Sequence, residues 1–164
     1  MTRYPTLDEL VYINEQIPTI NTIHKHLQGL QRVRDMALLS AAVHRPQHSV
    51  FGQDAYPTLA EKAAALLHAV ARNHPFADGN KRSATLAMLF MLEVNGQRVV
   101  WQPPEALERI LALAEGRQNI VDFANWLPLE PCQPRPVPHA NADEAHIARL
   151  IAEHRWLLDE LAQR

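Results

Sequence analysis

The chain has 164 residues, one cysteine and 16 basic against 18 acidic side chains, for a formal net charge of −2. That length suffices for one domain with a real core, burying roughly two-thirds of the unfolded surface, while so small a charge leaves no basic footprint for direct nucleic-acid binding. The lone Cys132 permits no intramolecular disulfide framework, no apolar run approaches the ~20 residues of a membrane span, and Met1–Thr6 offers no apolar leader core, so the chain reads as a soluble, cytoplasmic, bacterial-type protein with no membrane partner.

Strand signals are scarce and apolar positions recur at helical spacing, which predicts an all-α bundle. In chain order, helices are expected at about 6–16, 20–30 and 35–43. A loop follows over 44–57, punctuated by Pro46, Gly52 and Pro57, with a short β-hairpin around Ser49-Val50-Phe51. Leu59, Ala63, Leu66, Leu67 and Val70 fall on one face of a helix over about 58–73, opened by Thr58 with Glu61 three residues on, a capping box. The next helix, about 79–94, is apolar nearly all round and belongs at the centre of the bundle. Asn95-Gly96 ends it, since both residues tolerate a left-handed cap. Val99-Val100-Trp101 suggests a brief extended piece, and helices are expected at about 104–115 and 119–127. Five prolines then space out a semi-rigid linker over 129–140 and its approach. A last helix over 141–164 is opened by Asn141 and Glu144. It carries an apolar stripe of Ile147, Leu150, Leu157 and Leu161 that includes His154, and that stripe must bury on its own core, in a homodimer or against a partner. The organisation expected is a domain over 1–128, the linker, and an extra C-terminal helix.

The densest chemistry lies between the two central helices, in His74-Pro75-Phe76-Ala77-Asp78-Gly79-Asn80-Lys81-Arg82. Pro75 cannot sit in a helix interior and biases His74 away from helical angles. Gly79 lets backbone N–H groups approach a ligand at the start of the next helix, which already carries unpaired donors and a partial positive charge. Lys81 and Arg82 add two cations, so the segment reads as an anion site suited to phosphate. Asp78 fits such a nest when a Mg²⁺ ion stands between it and the phosphates. His74 can take a proton from a hydroxyl near neutral pH, and Phe76 reads as a core plug that fixes the loop. Other candidates carry less. His44 and His48 are four apart but separated by Pro46, without a third ligand nearby, which argues against zinc. Cys132 has no activating neighbour in sequence.

This segment resembles the signature of the Fic/Doc family, H-x-F-x-[D/E/N]-[G/A]-N-[G/K]-R, at every fixed position. The resemblance extends to Tyr4–Leu10, Arg34-Asp35 with Leu38-Leu39, Arg45-Pro46-Gln47, Tyr56–Ala64 and Glu93–Gly96, and points to the death-on-curing (Doc) branch over about residues 1–128. It implies an all-α Fic/Doc fold in which His74 is the catalytic base, Asp78 the Mg²⁺ ligand, and Gly79, Asn80, Lys81 and Arg82 the phosphate contacts. It also implies a flap within 44–57 that aligns the target by strand addition; Val50-Phe51-Gly52 is the best local match.

The AMP-transferring branch reads G-N-G-R with a second Arg three residues later. Here Lys81 replaces that Gly and Thr85 stands where the second Arg would be. Both changes match the Doc branch, so the resemblance ranks transfer of the terminal phosphate of ATP to a protein hydroxyl above AMP transfer (AMPylation). Elongation factor Tu is the target implied, and a separate antitoxin the expected regulator. The family's inhibitory motif, [S/T]-x-x-x-E-[G/N], is absent from the final helix, which has no Ser or Thr. A reading of another class stays open, in which the chain is a catalytically idle nucleotide-binding or regulatory module.

Overall fold

In the computed structural model, which describes residues 1–19 and 24–164, the chain is a helical bundle built around one apolar helix. Helix α1 (Leu7–Glu15) opens with Thr6, whose side chain accepts from the Glu9 N–H while Glu9 reaches back to the Thr6 N–H. Two orphan donors are satisfied reciprocally in this way. The expected second helix at 20–30 is not seen among its described residues. His24 opens a 3-10-type turn closed by Leu27 N–H on its carbonyl, and Gly29–Arg32 is a single 3-10 turn entered with Gly29 at φ 54°. A right-handed helix cannot run through that left-handed angle.

Helix α2 (Met36–His44) is capped by Asp35, which accepts from the Leu38 N–H. The hairpin expected in the following loop is present: β1 (Ser49–Val50) pairs antiparallel with β2 (Gln53–Asp54). Its two turn residues, Phe51 and Gly52, sit at φ 52° and 77°, both positive, as in the tightest hairpin turns. The hairpin is tied down at its base, where Ala55 N–H donates to the His48 carbonyl and Lys62 on the next helix pairs with Asp54 at 3.2 Å.

Helix α3 (Leu59–Asn73), capped by Thr58, and helix α4 (Asn80–Val94) pack against one another over their length. Every residue of α4 from Arg82 to Val94 is buried, because α1, α3, the later helices and a strand all lean on it. The absence of a polar stripe on this helix follows from that central position. Beyond it, β3 (Gln97–Val99) is joined by β4 (Leu129–Pro131) in a second antiparallel pair, with helices α5 (Pro103–Ala114) and α6 (Ile120–Trp126) between them. The proline-spaced segment therefore starts as a strand and stays on the body of the protein: Cys132 N–H donates to the Gly96 carbonyl and Arg135 N–H to that of Val94.

The helix expected at 141–164 begins at Ala140, capped by the His139 ring rather than by Asn141, and is broken into α7 (Ala140–Glu153) and α8 (Arg155–Ala162) at His154 (φ −107°, ψ 23°). The break lets both segments bury apolar residues on the chain's own core. Ile147 and Leu150 of α7 go down beside α4, and Leu157, Leu158 and Leu161 of α8 lie against α5 and α4.

Candidate functional site

The nine-residue segment singled out in the sequence is the link between α3 and α4, and every turn of it is held. Helix α3 ends at His74, which adopts φ 50°, ψ 57°, because Pro75 excludes the helical region for the residue before it. Phe76 is 1% exposed and anchors the loop in the core. From one side Arg32–Asp35 grip it, with Val33 bridged antiparallel to Phe76: Ala77 N–H donates to the Arg32 carbonyl, Arg34 and Asp35 N–H both donate to that of Pro75, and the Arg34 guanidinium donates to the His74 and Asn73 carbonyls. From within, the Asn80 side chain closes the loop on Phe76, accepting from its N–H at 2.9 Å and donating to its carbonyl at 3.0 Å.

Gly79, at φ 75°, is the N-cap of α4 and has no side chain to accept the helix's first N–H groups. Among the described residues no side chain caps those donors, which have the partial positive charge of a 15-residue helix behind them. A cavity of about 190 Å³ opens here, lined by His74, Asp78, Lys81 and Arg82, and on its far side by Leu161, Ala162 and Arg164 at the end of α8. The Lys81 ammonium reaches the Arg164 backbone oxygen at 3.2 Å.

The structure thus brings His74, Asp78, Gly79, Asn80, Lys81 and Arg82 to one place, though they are not equivalent. Lys81 is partly exposed and faces the cavity. Arg82 is 5% exposed and already engaged, donating to the Pro18 carbonyl at 2.8 Å and standing 3.7 Å from Asp78. Asp78 also accepts from the Gly79 N–H at 2.8 Å. Asn80 has committed its side chain to the loop, so what it offers an anion is chiefly its backbone N–H. Partial burial, then the charges of Lys81 and Arg34, hold His74 below its ordinary value of 6.5. At neutral pH it is an unprotonated imidazole able to accept a proton.

Val50, Phe51 and Gly52 form the exposed tip of the hairpin, Val50 at 57% and Phe51 fully open to solvent. His44 donates from Nδ1 to the Ser40 carbonyl at 2.8 Å, within its own helix. No group of three or more His, Cys, Asp or Glu side chains is arranged to hold a metal among the described residues. Burial, then Glu93, pushes the pKa of the Cys132 thiol above its ordinary value, which favours the protonated form.

Sequence reasoning passed over Asn14 and Arg32. Asn14, fully buried at the end of α1, donates to the Asp78 carbonyl at 2.9 Å and to Ser83 Oγ at 2.8 Å. Arg32 donates to Asn14 Oδ1 at 2.6 Å. A signal for Asn14 was available: Leu10, Ile13, Asn14 and Ile17 share one helical stripe, and the polar member of such a stripe needs buried partners.

A helix start without a side-chain cap, a neighbouring imidazole and a cation-lined cavity lie together at the head of a central buried helix. The model of the Fic/DOC family matches residues 4–92, more than half the chain, and the protein belongs to that family. Over 68 residues it is 57% identical to Toxin Doc of Mycolicibacterium smegmatis (strain ATCC 700084 / mc(2)155), a stretch covering 42% of this chain and 52% of that toxin. The chain thus matches about half the length of this curated relative. No solved structure matches it, and no helix among the described residues is long and apolar enough to cross a membrane.

Proposed function

We propose that the protein is a Doc-like toxin that transfers the terminal phosphate of ATP to a hydroxyl of a target protein. The observation that carries this reading is the start of α4. Its N–H groups have no side-chain cap, Lys81 stands beside them, and an unprotonated His74 shares the same cavity. In the reaction, His74 takes the proton of the target hydroxyl. The oxygen bonds to the terminal phosphorus as the bond from that phosphorus to the bridging oxygen breaks, and ADP departs with the released electron pair. Lys81 and the helix N–H groups hold the charge that spreads over the transferred group.

The residues present suit both ATP and Mg²⁺. About 190 Å³ lined by cations suits a phosphate chain, whereas a pocket that encloses a whole drug-sized ligand is typically ~300 Å³ or more. Asp78 is one carboxylate beside a phosphate site, the donor set Mg²⁺ commonly takes when phosphate oxygens and waters supply the rest. Bound there, Mg²⁺ would neutralise charge on the phosphates. Phosphate transfer is favoured over AMP transfer by Thr85, which is fully buried and spends its hydroxyl on the Lys81 carbonyl at 2.8 Å. No cation stands one turn deeper along the helix to draw the phosphates inward. The exposed Val50-Phe51-Gly52 tip offers strand edges on which a target segment could align. Elongation factor Tu is the first target to test, and a separate antitoxin is the regulator this reading entails.

The test is intact-mass spectrometry of purified elongation factor Tu and of whole lysate after incubation with Mg²⁺ and ATP. A gain of one phosphate is expected. A gain of AMP would assign the other transfer, and no gain on any protein would favour an idle nucleotide-binding module.

A further inference from the structure

Asn14 sits 64 residues from Asp78 and 69 from Ser83, yet its side chain touches both. It spends its amide hydrogens on the Asp78 carbonyl and Ser83 Oγ, and its oxygen accepts from Arg32 Nε. Arg32 in turn donates to the Asn14 and Ile17 carbonyls, so the guanidinium is fixed at the end of α1. Two of these partners, the Asp78 carbonyl and the Arg32 guanidinium, have fixed polarity, so the amide has one stable orientation; turned over, its oxygen would face the Asp78 carbonyl and its NH₂ the guanidinium.

The contact bears on the site through the geometry of one peptide group. Carbonyl and N–H of a trans peptide point in opposite directions. Drawing the Asp78 carbonyl inward to Asn14 turns the Gly79 N–H the other way, where it meets Asp78 Oδ1 at 2.8 Å. The carboxylate is thereby held over the start of α4. Asn14 Nδ2 also lies 3.4 Å from where a Gly79 Cβ would stand, so the same amide packs against the left-handed N-cap. Ser83, in the first turn of α4, completes the tie between loop and helix.

We infer that Asn14 is the positioning residue of this site: locked by Arg32, it sets the Asp78–Gly79 peptide so that the Asp78 carboxylate faces a divalent cation on a bound phosphate chain. This rests on the phosphate-site reading above, and the experiment separates the two.

ATP affinity is measured by calorimetry with and without Mg²⁺, beside thermal melting, for the wild type, Asn14→Asp and Ser83→Ala. Asn14→Asp keeps the shape and the oxygen that Arg32 holds but removes the donor to Asp78. It should fold but melt below the wild type, since an oxygen now faces the Asp78 carbonyl, and should bind metal-free ATP comparably while losing about 10- to 100-fold of the affinity that Mg²⁺ adds. Ser83→Ala keeps the Asp78 contact and should retain that gain. A wild-type measurement stands beside these in case Asn14→Asp does not fold: the Asn14 side-chain amide signals in a ¹H–¹⁵N spectrum should move when Mg²⁺ and ATP are added together, more than with ATP alone. An undiminished Mg²⁺ gain in Asn14→Asp, an equal loss with and without the metal, or amide signals indifferent to Mg²⁺ would each overturn the inference. If the wild type binds no ATP at all, the phosphate-site reading itself fails.

Discussion

His74 holds φ 50°, ψ 57°, a left-handed conformation that costs a non-glycine residue roughly 1–2 kcal/mol. Asparagine tolerates that region better than most residues, so His74→Asn should keep the fold while removing the base. We expect ATP binding to persist and transfer to fall by about 10²–10⁴-fold, measured as rate against affinity for the same variant. The pH profile follows from the same residue. Its pKa is lowered, first by burial and then by Lys81 and Arg34, and the active form is the unprotonated one. The transfer rate should therefore hold as pH falls past the ordinary histidine value of 6.5 and drop only below it; a rate already halved above pH 6.5 would contradict the assignment. The two cations should also separate. Lys81→Ala removes a partly exposed contact and should weaken ATP binding by about 1.5 kcal/mol, the lower end for a charged hydrogen bond, with little change in melting. Arg82→Ala opens a buried site and strips the Pro18 carbonyl of a donor, so it should lower the melting temperature as well.

The helices flanking the site were legible because their patterns are extreme. Helix α3 has a clean apolar face behind a Thr cap, and α4 has almost no polar residue after its first turn. The hairpin was legible from Gly52 and the β-branched Val50 two residues before it. The expectation for 20–30 failed within its described residues because Gly29 takes a left-handed angle while Arg32 turns inward to Asn14, neither of which periodicity registers. The break at His154 was hidden for a similar reason: the apolar stripe continues across it, and only the need to meet both α4 and α5 bends the path. His154 meets Trp101 edge-on at 5.8 Å, with Glu153, Glu93 and Arg149 as the charges nearest in effect. Burial, the largest influence, lowers its pKa, and Glu153 and Glu93 oppose it. A lowered histidine contributes stability above its ordinary value of 6.5, and that contribution fades as pH falls through the folded value. The melting temperature should accordingly decline on acidification below pH 6.5, and His154→Phe should flatten the decline. Leu158→Ala or Leu161→Ala should cost about 2–5 kcal/mol each, read from denaturant unfolding.

At the scale of the whole molecule, α7 is fastened to the Fic core by two charge clusters, each centred on a buried carboxylate. Glu93 at the end of α4 accepts from Arg149 at 2.6 Å and contacts His146 at 3.1 Å, while Asp143 takes Arg3 at 2.7 Å and also Arg135. Burial pushes both carboxylates upward, but hydrogen bonds from these partners bring each below its ordinary value, 4.5 for Glu93 and 3.8 for Asp143. Lowered carboxylates stabilise the fold above those values and cease to do so as pH falls through the folded ones. Acid should thus release α7, detectable as early hydrogen exchange in 140–153 before the α3–α4 core opens. The charge clusters were invisible in the sequence, since Arg3 and Asp143 are 140 residues apart. The site's first row was legible, because nine consecutive residues carry it. Its supports, Asn14, Arg32 and the end of α8, come from elements whose meeting only the fold determines.

The central claim is that His74 and the open start of α4 move the terminal phosphate of ATP onto a protein. It is tested most directly with ATP labelled either on its terminal or on its α phosphorus, incubated with lysate and with either the wild type or His74→Ala. Label should pass to protein from the terminal position only, and only with the wild type. Transfer of the α label, or equal transfer by His74→Ala, would contradict the account.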